Sequence, residues 1–167
     1  APSEMCIRDS IISEIFPEPN TEISPGLPVE YIEVYNRSGY PIRLNGLKVG
    51  DQTSTGVIAN GIVLPNEWAV ICDTRETDHF KGNVIGVDGW PSLNNNGDYI
   101  YIESDVLIDE LQYENSWHEP GKESGGWSLE LINPDQFCTG SDNWTSSLDK
   151  LGGTPAMPNS CLLYTSL

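Results

Sequence analysis

Carboxylates dominate the side chains of this chain that can do chemistry: 25 Asp and Glu stand against 8 Lys and Arg in 167 residues. Calcium takes about six to eight oxygen ligands, drawn partly from loop carbonyls. Asp98, Glu103, Asp105, Asp109, Glu110, Asp135, Asp142 and Asp149 supply such oxygens. Asp135, Asp142 and Asn143 lie closest together in a loop-like stretch and are the candidate calcium ligands. No Asp-x-Asp-x-Asp loop is present, so a solvated acidic surface is the default against which they stand. Asp73, Asp78 and His79 are a further trio that could meet round a cation, read in the first instance as surface polar residues. His79 and His118 are the two histidines, and neither has metal-ligand spacing.

Cys72 ends an apolar run and Cys138 follows the last expected strand; in an exported protein the two would pair. The alternative is two separate buried thiols, and only the distance between them decides. Trp90, Trp117 and Trp127 lie near loops or strand starts, where flat rings stack on sugars; packing at the core or its edge is the competing role. Asn36-Arg37-Ser38 and Asn143-Trp144-Thr145 have the form of glycosylation sequons. No Gly-x-Ser-x-Gly, phosphate loop or His-Glu-x-x-His motif occurs. The chain is therefore not expected to be an enzyme, and no cofactor beyond the candidate calcium is expected.

The chain ends set the frame for these residues. Met5-Cys6-Ile7-Arg8-Asp9-Ser10 and Cys161-Leu162-Leu163-Tyr164-Thr165-Ser166 back-translate to one transposon-end DNA element in opposite orientations. Residues 1–10 and 161–167 are accordingly expected to be translated sequencing adapter, and 11–160 the domain. Cys6 and Cys161 then do not count. Removing Arg8, Glu4 and Asp9 takes the 8 basic and 25 acidic residues to 7 and 23, a net charge of −16 in place of −17. Such a field repels phosphate backbones and anionic membranes, so nucleic-acid binding is not expected. No apolar run approaches the roughly 18 residues of a membrane span.

The elements that must position these residues are short strands. Ile11–Phe16 reads as a strand stopped by Pro17 and Pro19; Glu30–Tyr35 alternates, with Ile32 and Val34 on one face. Ile42–Val49 continues as a strand bent at Asn45-Gly46, and Asn60-Gly61 signals a tight turn. Trp68–Cys72 is a near-continuous apolar run that suggests a central strand. Residues 73–97 read as mostly irregular, with one apolar piece at Val84-Ile85. Asp98–Ile102 and Val106–Tyr113 form a hairpin, Trp127–Ile132 is the final strand, and 133–160 wraps over the surface. Eight or nine short strands predict an all-β fold, an immunoglobulin-like antiparallel β-sandwich.

The order of these motifs resembles a known family. Glu30-Tyr31-Ile32-Glu33-Val34-Tyr35-Asn36 with Ile42-x-Leu44-x-Gly46-Leu47-x-Val49 resembles the opening of the lamin-tail domain. Leu64-Pro65-x-x-Trp68-x-Val70-Ile71-Cys72, Asn95-x-Gly97-Asp98-x-Ile100-x-Ile102 and Ile108-Asp109-x-Leu111-x-Tyr113 are similar to its later strands, and Ser128-Leu129-Glu130 to its last. The tail Cys138…Asn143-Trp144…Ser147…Gly152-Gly153-Thr154-Pro155…Asn159-Ser160 is similar to bacterial extracellular members, in which Trp144 would plug the sandwich end. The resemblance covers residues 11–160. It implies a non-catalytic accessory module of a larger exported bacterial protein, extracellular or on the cell surface, acting in surface interaction, adhesion or as a spacer. A protein or surface partner follows from it. A carbohydrate- or calcium-dependent binding module attached to a secreted hydrolase is the alternative. The family has no catalytic residues to carry over.

Overall fold

Twelve strands form in the computed structural model of the chain, which describes residues 8–136 and 140–162. They are β1 (Ser10–Phe16), β2 (Tyr31–Asn36), β3 (Ile42–Arg43), β4 (Lys48–Gly50), β5 (Thr55–Ile58) and β6 (Ile62–Val63), then β7 (Trp68–Asp73), β8 (Val84–Asp88), β9 (Gly97–Glu103), β10 (Leu107–Glu114), β11 (Leu129–Leu131) and β12 (Trp144–Ser146). Ten of them join in one sheet in the order β10-β9-β4-β5-β8-β7-β2-β1-β11-β12, and β3 pairs with β6 apart from it. All pairs are antiparallel except β7 with β8. The sheet curls until its edge strand β10 returns to β1, where Asp109 Oδ2 accepts the Ile12 backbone N–H at 2.6 Å. Among the described residues no helix is long and apolar enough to cross a membrane.

Curling lets one face bury itself. Val49, Ile58, Ile100 and Ile102 from one half of the sheet meet Ile15, Ile32, Ile71 and Leu129 from the other in a single cluster. Each such side chain contributes about 1.5–3 kcal/mol by leaving water. The opposite face of β1, β2 and β7 carries a second, smaller cluster: Phe16, Tyr31, Val70 and Cys72, covered by Leu27 and Phe80. Phe16 and Tyr31 stack at 5.3 Å, and Phe80 meets Tyr31 edge-on at 5.2 Å.

The β class and the β9–β10 hairpin follow the sequence pattern; the strand count and the division into two sheets do not. Hydrogen bonding runs through ten strands as one sheet, and twelve strands replace the eight or nine expected. Gly46, at φ +79°, turns the chain between Leu44 and Leu47 and splits the 42–49 run into β3 and β4. Val84–Asp88 is a full strand parallel to β7, reached through a 3-10 helix over Thr74–His79 that the Asp73 side chain caps. Asn60-Gly61 is no hairpin: β5 pairs with β4 and β8, β6 with β3, so the chain there crosses between sheets. The stretch after β11 also differs, since it contributes β12 and then lays 147–162 over the outer sheet face, burying Gly152, Gly153, Thr154 and Asn159.

Candidate functional site

The residues gathered most tightly are three glutamates on neighbouring strands. Glu14 of β1 lies opposite Glu33 of β2 and opposite Glu130 of β11 in register, and all three are 0% exposed. Strand alternation puts them on the outer face in line with Phe16 and Tyr31. A bulge between Ile12 and Glu14 adds Ser13, whose hydroxyl donates to Glu33 Oε1 at 2.8 Å. The lid over them is the segment 147–162.

Each carboxylate is held by neutral donors. Glu14 Oε1 accepts from Tyr31 Oη at 2.8 Å, Ser128 Oγ at 2.6 Å and the Thr154 N–H at 2.8 Å. Glu14 Oε2 lies 3.2 Å from Thr154 Oγ1, which is also 2.9 Å from Glu130 Oε1. Glu33 Oε2 accepts from the Ala156 N–H at 2.8 Å. Glu130 Oε2 accepts from Ser160 Oγ at 2.6 Å and from the Cys161 N–H at 3.3 Å. Asn159 ties the lid to the sheet, donating to the carbonyls of Ser13 (2.7 Å) and Leu131 (3.0 Å); its Oδ1 is the one buried side-chain polar atom among the described residues without a partner.

Among the described residues, no Lys, Arg or His ion pair reaches these three glutamates. Burial without a counter-charge penalises the ionised form. Burial first, and then the Glu130 charge, raises Glu14 to about 7. Burial, then Glu14, holds Glu33 well above the usual carboxylate range. Tyr31 is pushed up by burial and by Glu14. The arrangement is a proton-binding cluster that also fixes the lid. Among the described residues no three His, Cys, Asp or Glu side chains form a metal-binding group.

The residues singled out by sequence are dispersed. Asp135 is exposed and pairs with Arg37 at 3.1 Å, and Asp142 is exposed on a short 3-10 turn. Asn143 is buried as a bracket: Oδ1 accepts the Asn133 N–H, and Nδ2 donates to the carbonyls of Asn133 and Gln136. Its amide is thus taken up by backbone, as is that of the fully buried Asn36 by Tyr40, Val63 and Ser38, so neither sequon presents its nitrogen. Asp73 holds Arg75 at 2.6 Å, and His79 faces Glu76 at 3.0 Å, so the trio with Asp78 does not converge. His118, its protonation disfavoured by burial, sits 2.9 Å from Ser146 Oγ.

Trp90 packs against the main core and donates to Glu30 Oε2 at 2.9 Å. Trp117 leans on Trp144 at 6.2 Å, and Trp127 lies under the Lys122 ammonium at 4.2 Å. Cys72 is a buried thiol that burial pushes up to about 12; its candidate partner Cys138 lies outside the described residues. A surface groove of about 700 Å³ opens beside β3 and β10, with Tyr40, Val106 and Leu107 exposed on its walls.

Sequence reasoning missed the glutamate cluster because alternation normally sends such residues to water. The available signal was their company: Phe16 two places from Glu14, and Tyr31 and Tyr35 two places either side of Glu33, mark a face that is half apolar. No family model and no curated protein matches this chain.

Proposed function

We propose that residues 11–160 are a lamin-tail-type, immunoglobulin-like module, non-catalytic, and part of a larger exported bacterial protein for which they provide surface interaction or spacing. One observation carries this reading. The polar residues of the motifs that carry the resemblance are taken up in holding the fold: Thr154 and Ser160 of the tail bind Glu130 of the last strand, Ser128 binds Glu14, Glu33 of the opening motif binds the Ala156 N–H, and Asn159 binds the Ser13 and Leu131 carbonyls. Motifs used this way specify a scaffold, and leave recognition to loops and edges. The groove beside edge strand β10 suits such recognition, with apolar walls and an unpaired strand edge next to it. Arg8 to Ser10 form its other wall.

The test starts by sequencing the source locus across both ends, which gives the neighbouring domains. The whole parent protein is then compared with a form lacking 11–160, for turnover of a soluble substrate and for retention on intact cells. Retention lost with turnover kept, and weakened again by Tyr40→Ser with Leu107→Ser, supports the reading. Turnover by residues 11–160 alone overturns it. Saturable polysaccharide binding by the isolated module, blocked by substitution at Trp90, Trp117 or Trp127, would establish the carbohydrate alternative instead.

A further inference from the structure

The hydrogen bonds of the glutamate cluster do not close unless it carries a proton. Glu14 Oε1 already receives three donated hydrogens, from Tyr31, Ser128 and the Thr154 backbone. Glu14 Oε2 and Glu130 Oε1 both lean on the Thr154 hydroxyl, which has a single hydrogen to give. With both carboxylates ionised, two acceptors compete for that one hydrogen inside a buried site. With Glu14 protonated on Oε2, a continuous chain forms, from Glu14 Oε2–H to Thr154 Oγ1 and from Thr154 Oγ1–H to Glu130 Oε1.

We propose that 147–160 is a proton-held strap: the hydrogen relayed through Thr154 between Glu14 and Glu130 keeps it on the sheet, and losing that hydrogen releases it and uncovers the outer face of β1, β2 and β11. Burial and the Glu130 charge oppose ionisation of Glu14, the hydrogen bonds from Ser128, Thr154 and Tyr31 favour it, and no counter-charge among the described residues offsets the balance. β2 brings Tyr31 and Glu33, β11 brings Glu130, and β7 brings the Cys72 thiol to the same face. The strap brings Asp149, which caps its own turn at Leu151, and is followed by Cys161, whose N–H reaches Glu130. From the preceding loop, Lys122 directs its ammonium to the Ser147 carbonyl and to Glu119, and Glu18 packs against Gly125. None of these supplies a positive charge to Glu14. The raised position of Glu14, about 7, agrees with this pattern and sets the switch near neutral pH, and Glu33 is raised in the same direction.

Hydrogen–deuterium exchange of the full chain at about pH 5.5 and about pH 8.5, corrected for the intrinsic rate, tests it. Protection of peptides within 147–160 should fall roughly 30-fold at the higher pH while β2 and β7 stay protected. Glu14→Gln keeps an acceptor at the position of Oε1 and a permanent donor towards Thr154, so its strap should remain protected at both pH values. Equal strap protection of the wild type at both pH values would overturn the proposal, as would a Glu14→Gln strap that opens only at the higher pH. If Glu14→Gln does not fold, the wild-type infrared spectrum decides. A buried protonated carboxyl band that disappears between the two pH values is expected, and its absence at the lower pH refutes the relay.

Discussion

Raising the pH from about 5 to about 8.5 should weaken the whole domain. Glu14 stands near 4.5 in the unfolded chain and about 7 in the fold, so the folded state holds its proton more tightly. The corresponding stability is fully present below the unfolded value and is lost as pH rises through the folded one. Each tenfold difference in proton affinity between the two states is worth about 1.4 kcal/mol, which makes the loss between those two pH values roughly 2.5 kcal/mol from Glu14 alone. Glu33 is raised in the same direction and adds to it. His118 opposes it: burial lowers its folded pKa, so its contribution grows as pH rises through the range just below its ordinary value. Asp51, held down by hydrogen bonds from Thr53 and Ser54, and Asp73, held down by Arg75, act only at lower pH, below the window. Urea unfolding at both pH values, in a His118→Asn background to remove the opposing histidine, measures the remainder. Glu14→Gln should reduce the slope by about the amount worked for Glu14 and leave the part that Glu33 contributes. A wild-type domain equally stable at both pH values, or a Glu14→Gln variant with an unchanged slope, would refute the assignment of a buried proton.

Two further substitutions separate backbone conformation from close packing. Gly152 and Gly46 both sit at positive φ, +94° and +79°, but a Cβ on Gly152 would run into the Gly126 carbonyl, whereas nothing lies within 4 Å of one on Gly46. Gly46→Ala should cost about 1–2 kcal/mol in urea unfolding, from the left-handed conformation alone. Gly152→Ala should cost clearly more and expose 147–160 to protease; equal costs would mean the strap is not packed as described. In the folded, reduced protein, Cys72 should react with a thiol reagent at about pH 8 at least 100-fold more slowly than after unfolding, because a buried thiol near 12 is almost never thiolate there. Comparable rates in the two states would place Cys72 on an accessible surface instead.

Much of the β framework is legible in the sequence because its inward face is uniformly apolar. Ile32 and Val34 in β2, Ile100 and Ile102 in β9, and Leu129 and Leu131 in β11 alternate with residues of other kinds and all enter the one core. What alternation cannot give is the order of strands in space. β8 has five residues and only Ile85 and Val87 buried, so its place beside β7 is fixed by Val70 to Asp73 across the ladder rather than by any feature of its own. The candidate site fails for a related reason. Glu14, Glu33 and Glu130 are ordinary solvent-facing residues until a segment more than a hundred positions from Glu14 supplies donors and a lid. Asn143 shows the reverse error: its neighbours in sequence suggested a cation ligand, but a backbone bracket had already taken every hydrogen-bonding atom of its amide.

An apolar outer face would seal this domain at least as firmly, since buried charge is seldom the more stabilising way to hold two layers together. It would not choose how the strap lies. The strap offers backbone N–H groups at Thr154 and Ala156 and hydroxyls at Thr154 and Ser160, and these meet Glu14, Glu33 and Glu130, with the Thr154 hydroxyl between Glu14 and Glu130. A slip of one residue along the sheet would leave buried carboxylate oxygens without donors, at about 1–3 kcal/mol for each group left unsatisfied. Gly152 and Gly153 reinforce the choice, because the strap touches Gly126, Tyr31 and Glu14 at points where any Cβ would collide. Three carboxylates in a row therefore specify one register, and the proton they share makes that register conditional on pH.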